Sequence, residues 1–198
     1  MNLPRESEAN PWAGEVKTLF IARPGFVFLT PDFSQIELRV AAFLTKDPVM
    51  LKTYRAGGDI HKGTASSVFN VRLEAVTKDQ RQIGKTINFS TIYLVGPQTL
   101  YGTIVFSDSR PEIVAKMAAQ YTVDDCRIFI RKFFQRHTGF APWMEDTIKY
   151  AQINGKVFTY FGRPRVIHGI TAEDEGIRRH AENQAINTRI QGTAADIA

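Results

Sequence analysis

The sequence predicts a mixed α/β domain of the α+β kind, mostly helical, with a small antiparallel sheet. Three observations lead there. Apolar residues recur at helical spacing over long stretches, above all 77–93 and 97–154. Short runs rich in β-branched and aromatic residues, bounded by Pro and Gly, read as strands at 16–21, 26–29, 157–160 and 165–167. The chain has 198 residues, 43% hydrophobic and 23% charged, which is enough to bury a proper core in one or two domains.

Composition narrows the function classes. No run approaches the roughly 20 apolar residues of a membrane span. No amino-terminal basic-apolar-small pattern suggests export. Cys126 is the only cysteine, so no internal disulfide forms; it reads as a small buried hydrophobe in a reducing compartment. A net charge of +5 and a pI of about 9.4 permit a nucleic-acid partner without demanding one.

Residues 1–15 carry Pro4, Asn10, Pro11 and Gly14 and read as irregular. The strand at 16–21 is expected to pair with 26–29 through the turn Arg23-Pro24-Gly25. Pro31 then stops the second strand, because it donates nothing to a ladder. Asp32 is thereby expected at the tip of a rigid strand, a good mount for a metal ligand. Ser34 and Glu37 have capping-box spacing, and Ile36, Val40, Phe43 and Leu44 supply a core face for the helix they start. On spacing alone, Asp32 simply ends a strand and Glu37 completes a cap.

Lys46-Asp47-Pro48 breaks the chain before a short helix at 49–55. Asp59 is a plausible N-cap for a helix reaching Phe69. His61 falls in its first turn, where a helix N-terminus suits an anion; a surface histidine with no duty is the equal alternative. Thr77 and Gln80 again have capping-box spacing. Arg81, Lys85, Phe89 and Tyr93 stand four apart, so the first three share a helix face, with Ile83, Ile87 and Leu94 roughly opposite. Two cations followed by an aromatic ring suit a nucleoside triphosphate. An amphipathic helix with a solvated basic face is the commoner origin of such a pattern.

Residues 97–154 are expected to be helical. One helix is predicted over 110–121 with Ser109 as cap. The next has an apolar stripe of Cys126, Phe129, Ile130, Phe133 and Phe134. A third is opened by Pro142 and ended by Gly155. A hairpin flanks Phe161-Gly162-Arg163-Pro164. A last helix starts near Thr171 and leads into Asn187 and Gln191, four apart, whose amides can face one groove.

Asp32-Phe33-Ser34-Gln35-Ile36-Glu37-Leu38-Arg39 closely resembles motif A of family A DNA polymerases, DYSQIELR, with Phe33 in place of the usual Tyr. Asp59-Ile60-His61 matches the family's DIH. Arg81 to Tyr93 matches the O-helix pattern R-x-x-x-K-x-x-x-F-x-x-x-Y, and Ala185 to Asp196 resembles AIN-x-P-x-QGTAAD. The departures are Leu94 where glycine usually follows the tyrosine, Arg189 for the usual proline, and Asn183 where arginine is common. The resemblance covers nearly the whole chain and is strongest over 26–44, 59–93 and 185–196.

The resemblance implies roles residue by residue. Asp32 binds both catalytic Mg²⁺ ions. Gln35, Glu37, His61, Arg81, Lys85, Phe89 and Tyr93 contact the dNTP. Glu37 is the steric gate against a 2′-hydroxyl, and Lys85 is also the proton donor to departing pyrophosphate. Asn187 and Gln191 lie near the template-primer, with Arg5 as a further nucleic-acid contact. It implies a palm over about 1–60 and 156–198 and fingers over about 61–155. No His-Asp pair of motif C follows, and no thumb is found. The expectation is therefore a monomeric fragment, inactive alone, of an enzyme of DNA replication or repair. It would act in the cytoplasm (nucleoid or phage-infected cell) or an organellar matrix. Alternatives are a single-subunit RNA polymerase fragment, against which Glu37 speaks, and a non-catalytic nucleic-acid-binding module.

Overall fold

The computed structural model describes residues 12–29, 33–107 and 110–198. The order is α1 (Ala13–Thr18), α2 (Ile36–Thr45), α3 (Pro48–Arg55), α4 (Ile60–Phe69), a 3-10 turn at Leu73–Ala75, then α5 (Lys78–Ile92) and α6 (Pro97–Val105). There follow α7 (Pro111–Gln120), α8 (Val123–Arg136), α9 (Phe140–Asn154), β1 (Lys156–Phe158), β2 (Pro164–Val166), α10 (Glu175–Asn187), a π segment at Thr188–Gly192 and α11 (Thr193–Ile197). The mostly helical α+β class is the one expected.

Local chemistry starts these helices where the residues demand. Asp47, Asp59 and Asp174 cap α3, α4 and α10 through their carboxylates, and Thr77 and Thr122 form complete capping boxes on α5 and α8. Pro48, Pro97 and Pro111 open helices at positions that lack an acceptor anyway. α4 and α5 form the most extensive helix pair. Gly84 permits it: a Cβ there would run into the His61 carbonyl oxygen and lie 3.0 Å from Ala65 Cβ.

One large core joins α2, α4, α5, α8 and the π segment, with Leu38, Ile60, Ile87, Phe133, Phe140, Ile186 and Ile190 buried. The expected apolar stripe of α8 is part of it. A smaller core of Ala151, Val157, Ile167, Ile170, Ala181 and Ala185 holds the hairpin against α9 and α10. The hairpin is antiparallel, with Lys156 opposite Val166 and Phe158 opposite Pro164. A buried pair fastens the start of α3 to the end of α8: His137 Nδ1 lies 3.0 Å from Asp47 Oδ1, and both side chains are fully buried. Burial alone would raise the Asp47 carboxyl. Hydrogen bonds from His137 and from the Met50 and Gly139 amides outweigh it and hold the carboxyl below its usual range.

Several expectations need correction. The strand at 16–21 is instead the tail of α1 and exposed chain, so no amino-terminal hairpin forms. The turn at 23–25 does form, Phe26 N donating to Arg23 O at 3.0 Å. Residues 26–29 have no regular secondary structure and are not a buried strand: Val27 and Leu29 are 89% and 86% exposed. A strand needs a ladder partner and a covering layer. Among the described residues the sheet is β1 and β2 alone, so no strand pairs with this run. Ser34 and Glu37 do not form a capping box. Gln35 holds the N-cap position of α2 at φ 56° without a side-chain cap bond, because the Glu37 carboxylate is drawn to Tyr93. Of the expected core face of α2, Val40 is buried and Ile36 and Leu44 pack against the core beside Leu38, Ala41 and Ala42, but Phe43 is half exposed with its ring edge-on to Tyr160. α9 begins at Phe140, ahead of Pro142, and α10 begins after Asp174 rather than near Thr171. Ser109 lies outside the described residues.

Candidate nucleotide and nucleic-acid site

The α4–α5 pair builds one face. Asp59 caps α4 by accepting from the amides of His61 (2.9 Å) and Lys62 (3.1 Å) through Oδ1. Its other oxygen accepts from Arg81 Nε at 2.5 Å. Burial would raise this carboxyl too; the Arg81 hydrogen bond and charge, with the two amides, hold it below its usual range. Arg81 is therefore not the loose cation of a solvated basic face. Its Nε is committed to Asp59, which orients the fork of the guanidinium. Lys85, one turn on, is partly buried and makes no hydrogen bond or ion pair with the described residues.

His61 is neither a surface residue nor a cation poised for an anion. It is 2% exposed, and burial pushes its pKa down to about 4 despite the pull of Asp59, with Arg81 and Lys85 adding to the fall. Asn88 Nδ2 lies 2.9 Å from His61 Nδ1, and Thr64 Oγ1 donates to Asn88 Oδ1 at 2.7 Å. An amide nitrogen only donates, so Nδ1 accepts and the imidazole proton sits on Nε2. The His61 ring supports Phe89, centroid to centroid 5.9 Å.

The far end of α5 meets α2. The Tyr93 hydroxyl donates to Glu37 Oε2, and Tyr54 donates to Gln35 Oε1 at 3.1 Å beneath the Arg39 guanidinium. Burial first, then the Glu37 carboxylate, drives the Tyr93 phenol well above its ordinary value, so it stays a donor. Leu94 follows with φ 55°, a left-handed conformation that glycine adopts without cost and that costs leucine about 1 kcal/mol. The Gln191 side chain pulls the Tyr93 phenol weakly in the opposite direction, against burial and Glu37.

A second surface lies on the hairpin and π segment. Asn187, Gln191, Thr159, Arg163 and Arg165 line a cavity of about 220 Å³. Arg163 Nη2 donates to the Gly192 carbonyl and pairs with Asp196, both at 2.8 Å, and Arg165 Nη1 donates to Thr188 Oγ1 at 3.2 Å. Asn187 and Gln191, four apart, thus line one cavity, with the π segment running between them. The Asn187 and Asn183 Oδ1 atoms are buried without a partner.

The structure therefore sets Gln35, Glu37, His61, Arg81, Lys85, Phe89 and Tyr93 along α2, α4 and α5, and Asn187 and Gln191 on the second surface beside the hairpin. Arg5 and Asp32 lie outside the described residues. Among the described residues no group of three His, Cys, Asp or Glu side chains could hold a metal ion, so they do not by themselves complete a metal centre. Sequence reasoning missed Tyr54 as a partner, Thr64 and Asn88 as a buried network, and Arg163 and Arg165 as cavity walls. Asn88 between Ile87 and Phe89 was a signal, being a polar residue inside a core-facing stretch.

Residues 2–198 match the sequence profile of DNA polymerase family A. The chain is 35% identical over 196 residues to a thermostable DNA polymerase I of Thermus thermophilus, covering 99% of this chain and 22% of that protein. It is 38% identical to DNA polymerase I of Pseudomonas aeruginosa, covering 92% and 18%, and 36% identical to the DNA polymerase of Bacillus phage SP01, covering 92% and 19%. The chain thus spans about a fifth of the length of these relatives. Among solved structures it resembles the POL domain of Pol1 from M. smegmatis in complex with DNA primer-template and dNTP. The TM-score is 0.79 and the identity 26%, covering 99% of this chain and 32% of that one.

Proposed function

The chain belongs to DNA polymerase family A, and from that premise we propose that it forms the nucleotide-binding face and part of the template-primer face of a DNA-directed DNA polymerase. The single observation that carries this reading is the α5 face: Arg81 oriented by Asp59, Lys85 one turn on, Phe89 backed by His61, and Tyr93 tied to Glu37. In the reaction a primer 3′-hydroxyl attacks the α-phosphate of a dNTP and pyrophosphate leaves. Arg81 and Lys85 hold the β- and γ-phosphates, and Lys85 gives a proton to the departing oxygen. Phe89 packs against the sugar and base. Glu37, held by Tyr93, crowds the 2′ position and excludes a ribonucleotide. Gln35 sits beside it, and Asn187 and Gln191 face the template-primer.

Asp32 would hold Mg²⁺, which would supply positive charge against the transferring phosphate. We divide the chain into palm, about 1–60 and 156–198, and fingers, about 61–155. The same reading places a monomer on DNA in the cytoplasm, a phage-infected cell or an organellar matrix; among the described residues no helix is long and apolar enough to cross a membrane. The test is primer extension by a family A polymerase in which this chain replaces the equivalent segment. Lys85→Ala is expected to lower kcat by about 100-fold or more, the usual contribution of a positioned proton donor. An unchanged kcat would refute the assignment.

A further inference from the structure

Between α9, β1 and the π segment lies another cavity of about 220 Å³. Among its described lining residues Arg189 is the only charged one, set beside Thr147, Tyr150 and Thr159. Arg189 Nη1 donates to Thr147 Oγ1 at 2.8 Å, and its guanidinium lies 5.2 Å over the Trp143 ring. No carboxylate among the described residues pairs with it, whereas Arg81, Arg163 and Arg179 each have one. A guanidinium carries five N–H donors, and a partly buried cation without a counter-charge is costly. Burial indeed depresses the Arg189 pKa, with only the Tyr150 phenol pulling the other way.

We propose that the Arg189 cavity is a binding site for a phosphate group. With Nη1 spent on Thr147, the remaining N–H donors of the guanidinium can serve two phosphate oxygens. Lys156, whose ammonium lies 5.5 Å from the ring of the lining residue Phe158, adds positive charge nearby. Thr159 lines both this cavity and the one holding Asn187 and Gln191, so the two sites are neighbours across one strand end. The proline usual at position 189 in the family offers no such group, so the site is a property of this chain's own departure. A free phosphate and a polynucleotide phosphodiester supply the same chemistry.

The experiment uses the 198-residue chain in a Trp12→Phe background, which leaves Trp143 as the sole tryptophan. Its emission is titrated with sodium phosphate against chloride at matched ionic strength. Parallel titrations use a short oligothymidylate and its uncharged methylphosphonate analogue. A saturable change is expected, weakened at least about tenfold by Arg189→Met and partly retained by Arg189→Lys. A response to the oligothymidylate alone assigns the site to a polynucleotide backbone, and a response to phosphate alone assigns it to the free ion. No saturable response in either arm overturns the proposal, as does an unchanged affinity in Arg189→Met with intact helical circular dichroism. If Arg189→Met unfolds, Arg189→Gln takes its place. None of these readouts requires polymerase activity, so the site stands or falls apart from the proposed function.

Discussion

The α4–α5 face and the hairpin–π face differ in how completely their polar groups are paired within the protein. On the first, each functional side chain but Lys85 has a protein partner or support: Arg81 has Asp59, Glu37 has Tyr93, Gln35 has Tyr54, and Phe89 rests on His61, itself held by Asn88. On the second, Arg163 and Arg165 are paired with Asp196 and Thr188, but Asn183 and Asn187 keep buried oxygens without partners and Arg189 has no acid among the described residues. The difference teaches where preorganisation is built. A small ligand that must be held in one geometry needs a supporting shell of hydrogen bonds. A surface that meets a long ligand can leave groups for that ligand to satisfy.

The comparison breaks first on pH. In the unfolded chain His61 protonates near 6.5, and in the fold only near about 4. Between those values the unfolded chain binds a proton that the folded one does not. Stability is therefore fully present above pH 6.5 and falls as pH drops toward 4, by roughly 3 kcal/mol. Urea titrations across this range should show the loss, and His61→Gln should flatten it. An equal slope in both chains would mean that His61 is not buried neutral. Asp59 and Asp47, with depressed values, stabilise above the usual carboxylate range and withdraw that support at more acidic pH, below the His61 window.

Next comes truncation of one asparagine on each face. Asn88→Ala strands the Thr64 hydroxyl and the His61 ring nitrogen in the core, and should cost about 2 kcal/mol. Asn187→Ala removes an oxygen that is already unpaired, and should cost less than about 0.5 kcal/mol. Equal costs in denaturant titration would erase the contrast between the faces. The smallest effect is at the junction. Leu94→Gly relieves a left-handed leucine and should raise stability by about 0.5 kcal/mol, after the added freedom of glycine in the unfolded chain is subtracted. A loss would show that the packing of Leu94 outweighs its backbone strain.

The helices were legible because their signals are local. Thr77 with Gln80, Asp59 ahead of α4, and Gly155 after α9 act within a turn of where they stand. Long-range effects were not. Residues 26–29 have the composition of a strand, but a strand exists only where another segment bonds to it. Ser34 and Glu37 have the spacing of a cap, but Tyr93, 56 residues away, takes the carboxylate. The order of cations and aromatic on α5 could be read from spacing four. The partners that fix them, Asp59, Asn88 and Tyr54, come from packing between helices. Arg189 stood out only as an exchange for proline; its cavity required the fold.

The claim that Arg81, Lys85 and Phe89 form one nucleotide face is tested most directly by equilibrium binding of a dNTP to the family A chimera carrying this chain, with no primer extension involved. The account predicts that Arg81→Ala combined with Lys85→Ala weakens dNTP binding by at least about tenfold, each charge-assisted phosphate contact contributing more than 1 kcal/mol. It predicts no comparable change for Arg179→Ala, whose exposed guanidinium pairs with Glu175 on α10. An unchanged dNTP affinity in the folded double variant would contradict it.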